Sequence, residues 1–361
     1  MQKIKITPIL LSEEIYVDHD IADFIIKKIK DVDYEKILFF VDKHLFSKQK
    51  KYIEKLVKKS GACGIVFINP KAHYKDFEYC GCLLKKLIIY KLNRKSCLVA
   101  VGGGFVADMV GFISSIFMRG IDFIQIPTTM MSMSDAVIGK VAVNFRGLKN
   151  LLGSFYFPKF VFIDRQFLKT LSEKEIVYGL VEVWKHALLV ADYKIIQMIE
   201  NYLSSSVNLD EEKIIKFSLR VKKQFVQVDY NDKVGIHKAL SLGHTLANYL
   251  ELTLALRHGP AVFYGIIFEV LLSYNLKTIN KKKFVRIIKT AKLFESKIAL
   301  FGNVQEELRI VDVIRKLKFD KINNGNLYTF IVLTSGGFYV KKDIKSTVLA
   351  KVFSQFKKLI I

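Results

Sequence analysis

The sequence predicts two fold classes in series: an α/β half built on a parallel sheet, then a mostly α-helical half. Short, continuous apolar runs alternate with helical patterns through the first half, as expected for strands buried on both faces and joined by crossover helices. From about residue 170 onward the apolar spacing turns helical and stays so over most of the remaining chain. No internal repeat and no Pro/Ser-rich linker separates the halves. The boundary is therefore expected within 164–172, giving domains of 1–168 and 169–361 with a site in the cleft between them.

The runs at 36–41, 64–68, 97–101, 123–126 and 160–163 are bounded by polar or turn residues and read as strands. A helix is expected over 74–93. In the second half, Ser172-Glu173-Lys174-Glu175 is a capping box opening a helix over 176–191, because the Ser and the Glu three residues on each satisfy an orphan backbone donor. Further helical runs are expected over 211–228, 240–254, 260–276 and 305–318, a polar loop over 230–238, and a hairpin from 328–334 and 337–340.

With 361 residues, 51% hydrophobic and 25% charged, the chain is globular in composition rather than disordered. Its formal charge of +23 raises three candidate partners: nucleic acid, an anionic membrane face, or a phosphorylated substrate. Only nine of the 57 basic residues are Arg, and the lysines are spread along the chain, which suits a solvated surface better than a nucleic-acid reader. The opening Met1-Gln2-Lys3-Ile4-Lys5 lacks the apolar core of a signal peptide. The most apolar stretch, 97–118, contains three consecutive glycines and Asp108, so it reads as a buried strand–turn–helix rather than a membrane span. Cys63, Cys80, Cys82 and Cys97 are too few and too unevenly placed for a disulfide framework and are expected as buried thiols. A soluble, reduced, cytoplasmic protein is the expectation.

Gly102-Gly103-Gly104 lies between a strand and an apolar helix that carries Asp108. Such a turn lets backbone approach a pyrophosphate at a helix N-terminus, although it also serves plain βα packing, and it departs from the usual G-x-G-x-x-G fingerprint. Thr128, Thr129, Asp135, Lys140, Lys149 and Asn150 follow as a polar stretch between two apolar strands, read as a loop at the C-terminal edge of the sheet, where open α/β folds bind ligands. In the second half Glu182 sits among apolar residues with Lys185 one turn on, and His244 and His258 follow. Two imidazoles and a carboxylate form a catalytic zinc set with open coordination positions, though each residue taken singly suits a structural role. His186 is a competing ligand.

The order of these motifs resembles the 3-dehydroquinate synthase family and the wider sugar phosphate cyclases. The stretches that carry the resemblance are 102–112, Met118-Arg119-Gly120, 124–129, 147–153, 179–185, Gly243-His244-Thr245 and His258-Gly259. The resemblance implies an NAD-binding α/β domain with a parallel sheet, a mostly helical metal-binding domain, and a homodimer without nucleic-acid or membrane partners. Zinc, or cobalt in its place, would be held by Glu182, His244 and His258. NAD would contact Asp42, Lys75, Gly102, Gly103, Gly104, Asp108, Thr128, Thr129, Lys140, Lys149 and Thr170. A phosphorylated sugar would meet Asp135, Lys140, Asn150, Lys185, Lys222 or Lys223, and Lys321, with Arg119 reaching the partner subunit's phosphate pocket. The implied reaction is transient oxidation of a ring hydroxyl, β-elimination of phosphate, re-reduction, and aldol closure to a carbocycle.

The substrate pocket departs from the family pattern at three positions. His237 stands where a carboxylate-binding Arg is usual, Ser241 where Asn is usual, and Asn248 where a second histidine is usual. A histidine is a poor replacement for an always-cationic fork. The acidic residue of the usual adenosine segment is also absent from 71–75. These changes point to a divergent cyclase making a valiolone- or inosose-type ring as one alternative. A related metal-dependent polyol dehydrogenase is a second, and a basic binding protein a third.

Overall fold

The computed structural model describes residues 14–70, 75–135, 139–205, 207–228, 237–298, 313 and 328–359. The chain divides into two units, Met1–Thr170 and Leu171–Ile361.

In the first unit β1 (Glu14–Asp18), β2 (Lys36–Asp42), β3 (Gly64–Ile68), β4 (Ser96–Gly102), β5 (Asp122–Pro127) and β8 (Phe160–Asp164) form a sheet in the order β1-β8-β5-β4-β2-β3. Every pairing in it is parallel. The five apolar runs of the sequence are five of these strands; β1 is an addition. β4 is buried at every position, because its two faces both meet packed side chains. One face buries Leu98 and Ala100, with Leu38 and Phe40 of β2, against α4 (Phe77–Ile89) and α5 (Gly104–Ile116). Phe39, Val41 and Val99 point the other way and are equally buried. The chain leaves β2 for β3 on one side and returns to β4 on the other. That reversal makes the carboxyl ends of β2 and β4 a topological switch point, where ligands of open α/β sheets bind.

The stretch 128–150 is not the loop that its polarity suggests. It contains the short helix α6 (Met130–Ser134) and an antiparallel hairpin of β6 (Lys140–Phe145) and β7 (Leu148–Phe155). Exposed and half-covered positions alternate imperfectly along β7, and a register shift between Val143 and Phe145 interrupts the ladder. The hairpin therefore lacks the clean two-residue period that marks a strand in sequence.

The cysteines are not all buried, contrary to the expectation from sequence. Cys80 and Cys97 are buried, but Cys63 and Cys82 are exposed. Helix α4 turns Cys80 inward with Leu83 and Leu87, and Cys82, two residues on, faces the opposite way.

The second unit contains α7 (Glu173–Leu189), α8 (Tyr193–Ser204), α9 (Glu211–Val228), α10 (His244–Thr253), α11 (His258–Asn275), α12 (Lys281–Lys297), a hairpin of β9 (Tyr328–Leu333) and β10 (Phe338–Ile344), and a helix Ser346–Leu359. The Ser172–Glu175 capping box is formed. α7 is buried without interruption from Ile176 to Leu189, and α11 from Gly259 to Ser273, as befits helices at the centre of a helical layer. Of the expected helix over 305–318 only Val313 falls among the described residues, and there it is helical and buried. Residues 230–236 of the expected loop lie outside the described residues, and His237–Ser241 is a 3-10 turn. No described helix is long and apolar enough to cross a membrane.

Candidate active site

Helices α10 and α11 begin on His244 and His258, so both imidazoles project from helix starts rather than from mid-helix positions. Glycines set where those starts lie. Gly243 has φ +82, and a Cβ on Gly265 of α11 would fall 1.8 Å from the Gly243 carbonyl oxygen, so α10 and α11 meet backbone to backbone. A Cβ on Gly259 would lie 2.9 Å from the Tyr178 carbonyl oxygen of α7. That close approach brings the first turn of α11 against α7, one turn before Glu182.

The result is a convergent donor set. Glu182 is fully buried and Lys185 is 1% exposed. Glu182 Oε1 lies 3.3 Å from His258 Nε2 and 3.8 Å from His244 Nε2, while Oε2 pairs with Lys185 Nζ. The ligand atoms of Glu182, His244 and His258 lie within 4.8 Å of one another. Zinc–ligand bonds of about 2.0–2.2 Å at tetrahedral angles separate donor atoms by roughly 3.3–3.6 Å; the His258 separation falls in that range and the His244 separation is a few tenths of an ångström longer, within a small ring rotation of seating one ion. His186, one turn past Glu182, meets Ser218 Oγ of α9 through Nδ1 at 2.7 Å. Lys222, one turn beyond Ser218, is buried whereas Lys223 is exposed.

The resemblance left one residue of this site unmentioned. Glu251 Oε1 lies 2.6 Å from His258 Nδ1. Its spacing of seven from His244, through Asn248 at four, would have placed all three on one face of α10. Asn248 is exposed on that face.

In the first unit a second group surrounds Lys75. Its ammonium lies 2.5 Å from Asp108 Oδ2 and 2.7 Å from Asn150 Oδ1. Asn150 adopts φ +50, and its N–H donates to Asn144 Oδ1 at 3.0 Å. Burial pushes the Lys149 ammonium down to about 8, with Lys75 adding to the effect and Asp108 opposing it.

The glycine turn closes against the β5–α6 connection. The Thr128 N–H donates to the Gly102 carbonyl at 3.0 Å, and a Cβ on Gly103 would sit 3.3 Å from Thr129 Cγ2. Gly104 opens α5, while Thr128 is buried and Thr129 caps α6. This leaves the turn tight, glycine-lined and at a helix N-terminus, a geometry suited to phosphate.

Asp42 caps α2 (Lys43–Lys48), accepting from the N–H groups of His44 and Leu45. The Thr170 hydroxyl donates to the Phe167 carbonyl at 2.9 Å, and its own carbonyl accepts from Lys48. Lys140 is exposed, with its ammonium 5.7 Å from the Phe155 ring centroid. Asp135 follows α6, and Arg119 is exposed in a left-handed run with Met118 and Gly120. The side chain of His237 and all of Lys321 lie outside the described residues.

Residues 65–178 match the 3-dehydroquinate synthase N-terminal family, and residues 179–322 match the 3-dehydroquinate synthase C-terminal family. The chain belongs to the 3-dehydroquinate synthase family. It is 31% identical over 350 residues to the 3-dehydroquinate synthase of Staphylococcus haemolyticus (strain JCSC1435), covering 95% of each chain. It is 35% identical over 357 residues to the bifunctional 3-dehydroquinate synthase/phosphatase of Fusobacterium nucleatum subsp. nucleatum. That alignment covers 96% of this chain, which spans about half (52%) of the Fusobacterium protein. Among solved structures, ValA (2-epi-5-epi-valiolone synthase) from Streptomyces hygroscopicus subsp. jinggangensis 5008, with NAD+ and Zn2+ bound, superposes with a TM-score of 0.83. The two share 18% identity over 99% of each chain, so this likeness speaks for the fold alone. The two 3-dehydroquinate synthase family matches meet inside α7, just ahead of Glu182.

Proposed function

We propose that the chain is a sugar phosphate cyclase of the 3-dehydroquinate synthase type. It uses NAD and a divalent metal to turn a phosphorylated sugar into a carbocycle with loss of phosphate. The observation that carries this reading is the convergence of Glu182, His244 and His258 beside the buried Lys185. Domain 1–168 would bind NAD, domain 169–361 the metal and substrate, and two copies would associate as a cytoplasmic homodimer.

Bound to this donor set, zinc or cobalt would polarise a substrate hydroxyl, and NAD would accept and return one hydride, leaving no net redox change. The protein's part is positioning and charge. Lys185 engages Glu182 Oε2, which leaves Oε1 directed at the imidazoles. Its ammonium, almost fully buried, stabilises negative charge developing on the substrate oxygen. Lys140 and Lys321 supply cationic donors for the phosphate, Arg119 reaches the phosphate pocket of the partner subunit, Lys222 meets the substrate, and Asp135 and Asn150 orient the sugar. On the cofactor side the Gly102–Gly104 turn and the start of α5 take the pyrophosphate. Asp42, Lys75, Asp108, Thr128, Thr129, Lys149 and Thr170 complete that set.

A second reading, a cyclase specific for a different sugar phosphate, is favoured by Asn248, exposed on the His244 face of α10 where the family usually carries histidine. The test of both is phosphate release from 3-deoxy-arabino-heptulosonate 7-phosphate, sedoheptulose 7-phosphate and glucose 6-phosphate, each with NAD and zinc. Release from the first supports the synthase, and release from another supports the divergent cyclase. No release from any, with Glu182→Ala behaving as wild type, overturns the cyclase reading.

A further inference from the structure

The two imidazoles of the donor set turn Nε2 toward Glu182, but their far edges are held differently. His244 Nδ1 lies 3.3 Å from the Leu242 carbonyl oxygen. His258 Nδ1 lies 2.6 Å from a carboxylate oxygen of Glu251, whose side chain is 10% exposed. Helix α10 therefore acts at both ends: its first residue supplies one imidazole, and a glutamate two turns on grips the other. Glu251 meets the ring edge opposite Nε2, so it is placed to hold His258 rather than to join it as a ligand.

We propose that Glu251 is a positioning residue for the metal centre, a role that rests on the metal-binding reading above. It accepts the Nδ1–H of His258, selects the tautomer whose Nε2 lone pair faces Glu182, and strengthens that nitrogen as a donor. A carboxylate this far out of water is costly without a strong hydrogen-bond donor, and an imidazole N–H supplies one. Such carboxylate–histidine–metal arrangements fix ring orientation and raise ligand basicity.

The test is zinc affinity of the metal-stripped full chain, measured by competition with a chromogenic chelator, for wild type, Glu251→Ala, Glu251→Gln and His244→Ala. Cobalt(II) visible spectra and thermal unfolding of the metal-free proteins are recorded alongside. Loss of an outer partner of this kind weakens metal binding about 10–100-fold. That range is expected for Glu251→Ala, with a smaller loss for Glu251→Gln, whose amide oxygen still accepts. Both variants should show a shifted cobalt spectrum and an unchanged metal-free melting temperature. If Glu251→Ala fails to fold, Glu251→Gln decides. Zinc affinities within about twofold of wild type would overturn the proposal, as would a loss that merely follows a lower metal-free melting temperature. If wild type binds no more zinc than His244→Ala, the metal-binding reading falls with it; if wild type binds zinc and the Glu251 variants match it, this proposal alone fails.

Discussion

Gly243 and Gly265 touch through their backbones: a Cβ built on Gly265 would stand 1.8 Å from the Gly243 carbonyl oxygen. No side-chain movement relieves that clash, so Gly265→Ala must push the start of α10 away from α11 and carry His244 with it. Overpacking of this kind costs about 1–3 kcal/mol. Calorimetry should show a lower melting temperature, and the chelator competition a weaker zinc site. Gly81→Ala is the control. Nothing lies within 4 Å of its added methyl group, and a helical Gly→Ala change is worth up to about 1 kcal/mol of stability.

Glu182 and Lys185 form an ion pair at 0% and 1% exposure. Removing one partner of such a pair typically costs about 3–5 kcal/mol, because the other charge stays buried. Glu182→Gln and Lys185→Met should each destabilise the metal-free protein on that scale. The double variant should lose clearly less than the sum in a denaturant-unfolding cycle. Strict additivity would mean that the two charges do not support each other.

Lys149 yields a pH effect with a definite sign. Its ammonium is pushed from 10.5 down to about 8, so between those values the native chain has released a proton that the unfolded chain still holds. Stability should therefore rise with pH across that window, while, on the proposed role of Lys149 in the cofactor set, affinity for NAD should fall as the charge is lost. NAD titrations at neutral and at alkaline pH should show the weakening in wild type. Lys149→Arg, which keeps its charge, should flatten it.

Asp164 is fully buried at the end of β8. It accepts from the Asp20, Ile21 and Gln166 N–H groups and the Tyr52 hydroxyl. Hydrogen bonds to a charged group contribute about 1.5–3 kcal/mol each, and donors left unsatisfied add to the loss. Asp164→Ala should lower stability by about 3 kcal/mol or more in chemical denaturation. Zinc affinity of the folded fraction should be unchanged, since the metal donors lie in the other unit.

The inner strands β2, β4, β5 and β8 were legible because they are buried on both faces: Ile37, Leu38, Phe39, Phe40 and Val41 leave no solvent-facing position to break the run, whereas β1, nowhere fully buried, was missed. The β6–β7 hairpin was not, because Lys149, Asn150, Gly153 and Ser154 interrupt the apolar residues of β7 and the ladder itself shifts. In the second unit the residue types of Glu182, His244 and His258 suggested a metal, but nothing local joins residues so far apart in sequence. Their meeting depends on Gly243, Gly259 and Gly265, whose role is visible only where two backbones touch. Glu251 escaped notice because a glutamate near a helix end is ordinary; its partner is contributed by the next helix.

The most direct test of the central claim follows inorganic phosphate and NADH together while the protein, NAD and zinc act on the sugar phosphate panel. Many phosphates should be released per NAD from at least one sugar phosphate, with no accumulating NADH and with release lost in Glu182→Ala. Absence of phosphate release from every sugar, or NADH formed in proportion to a polyol consumed, would contradict that claim.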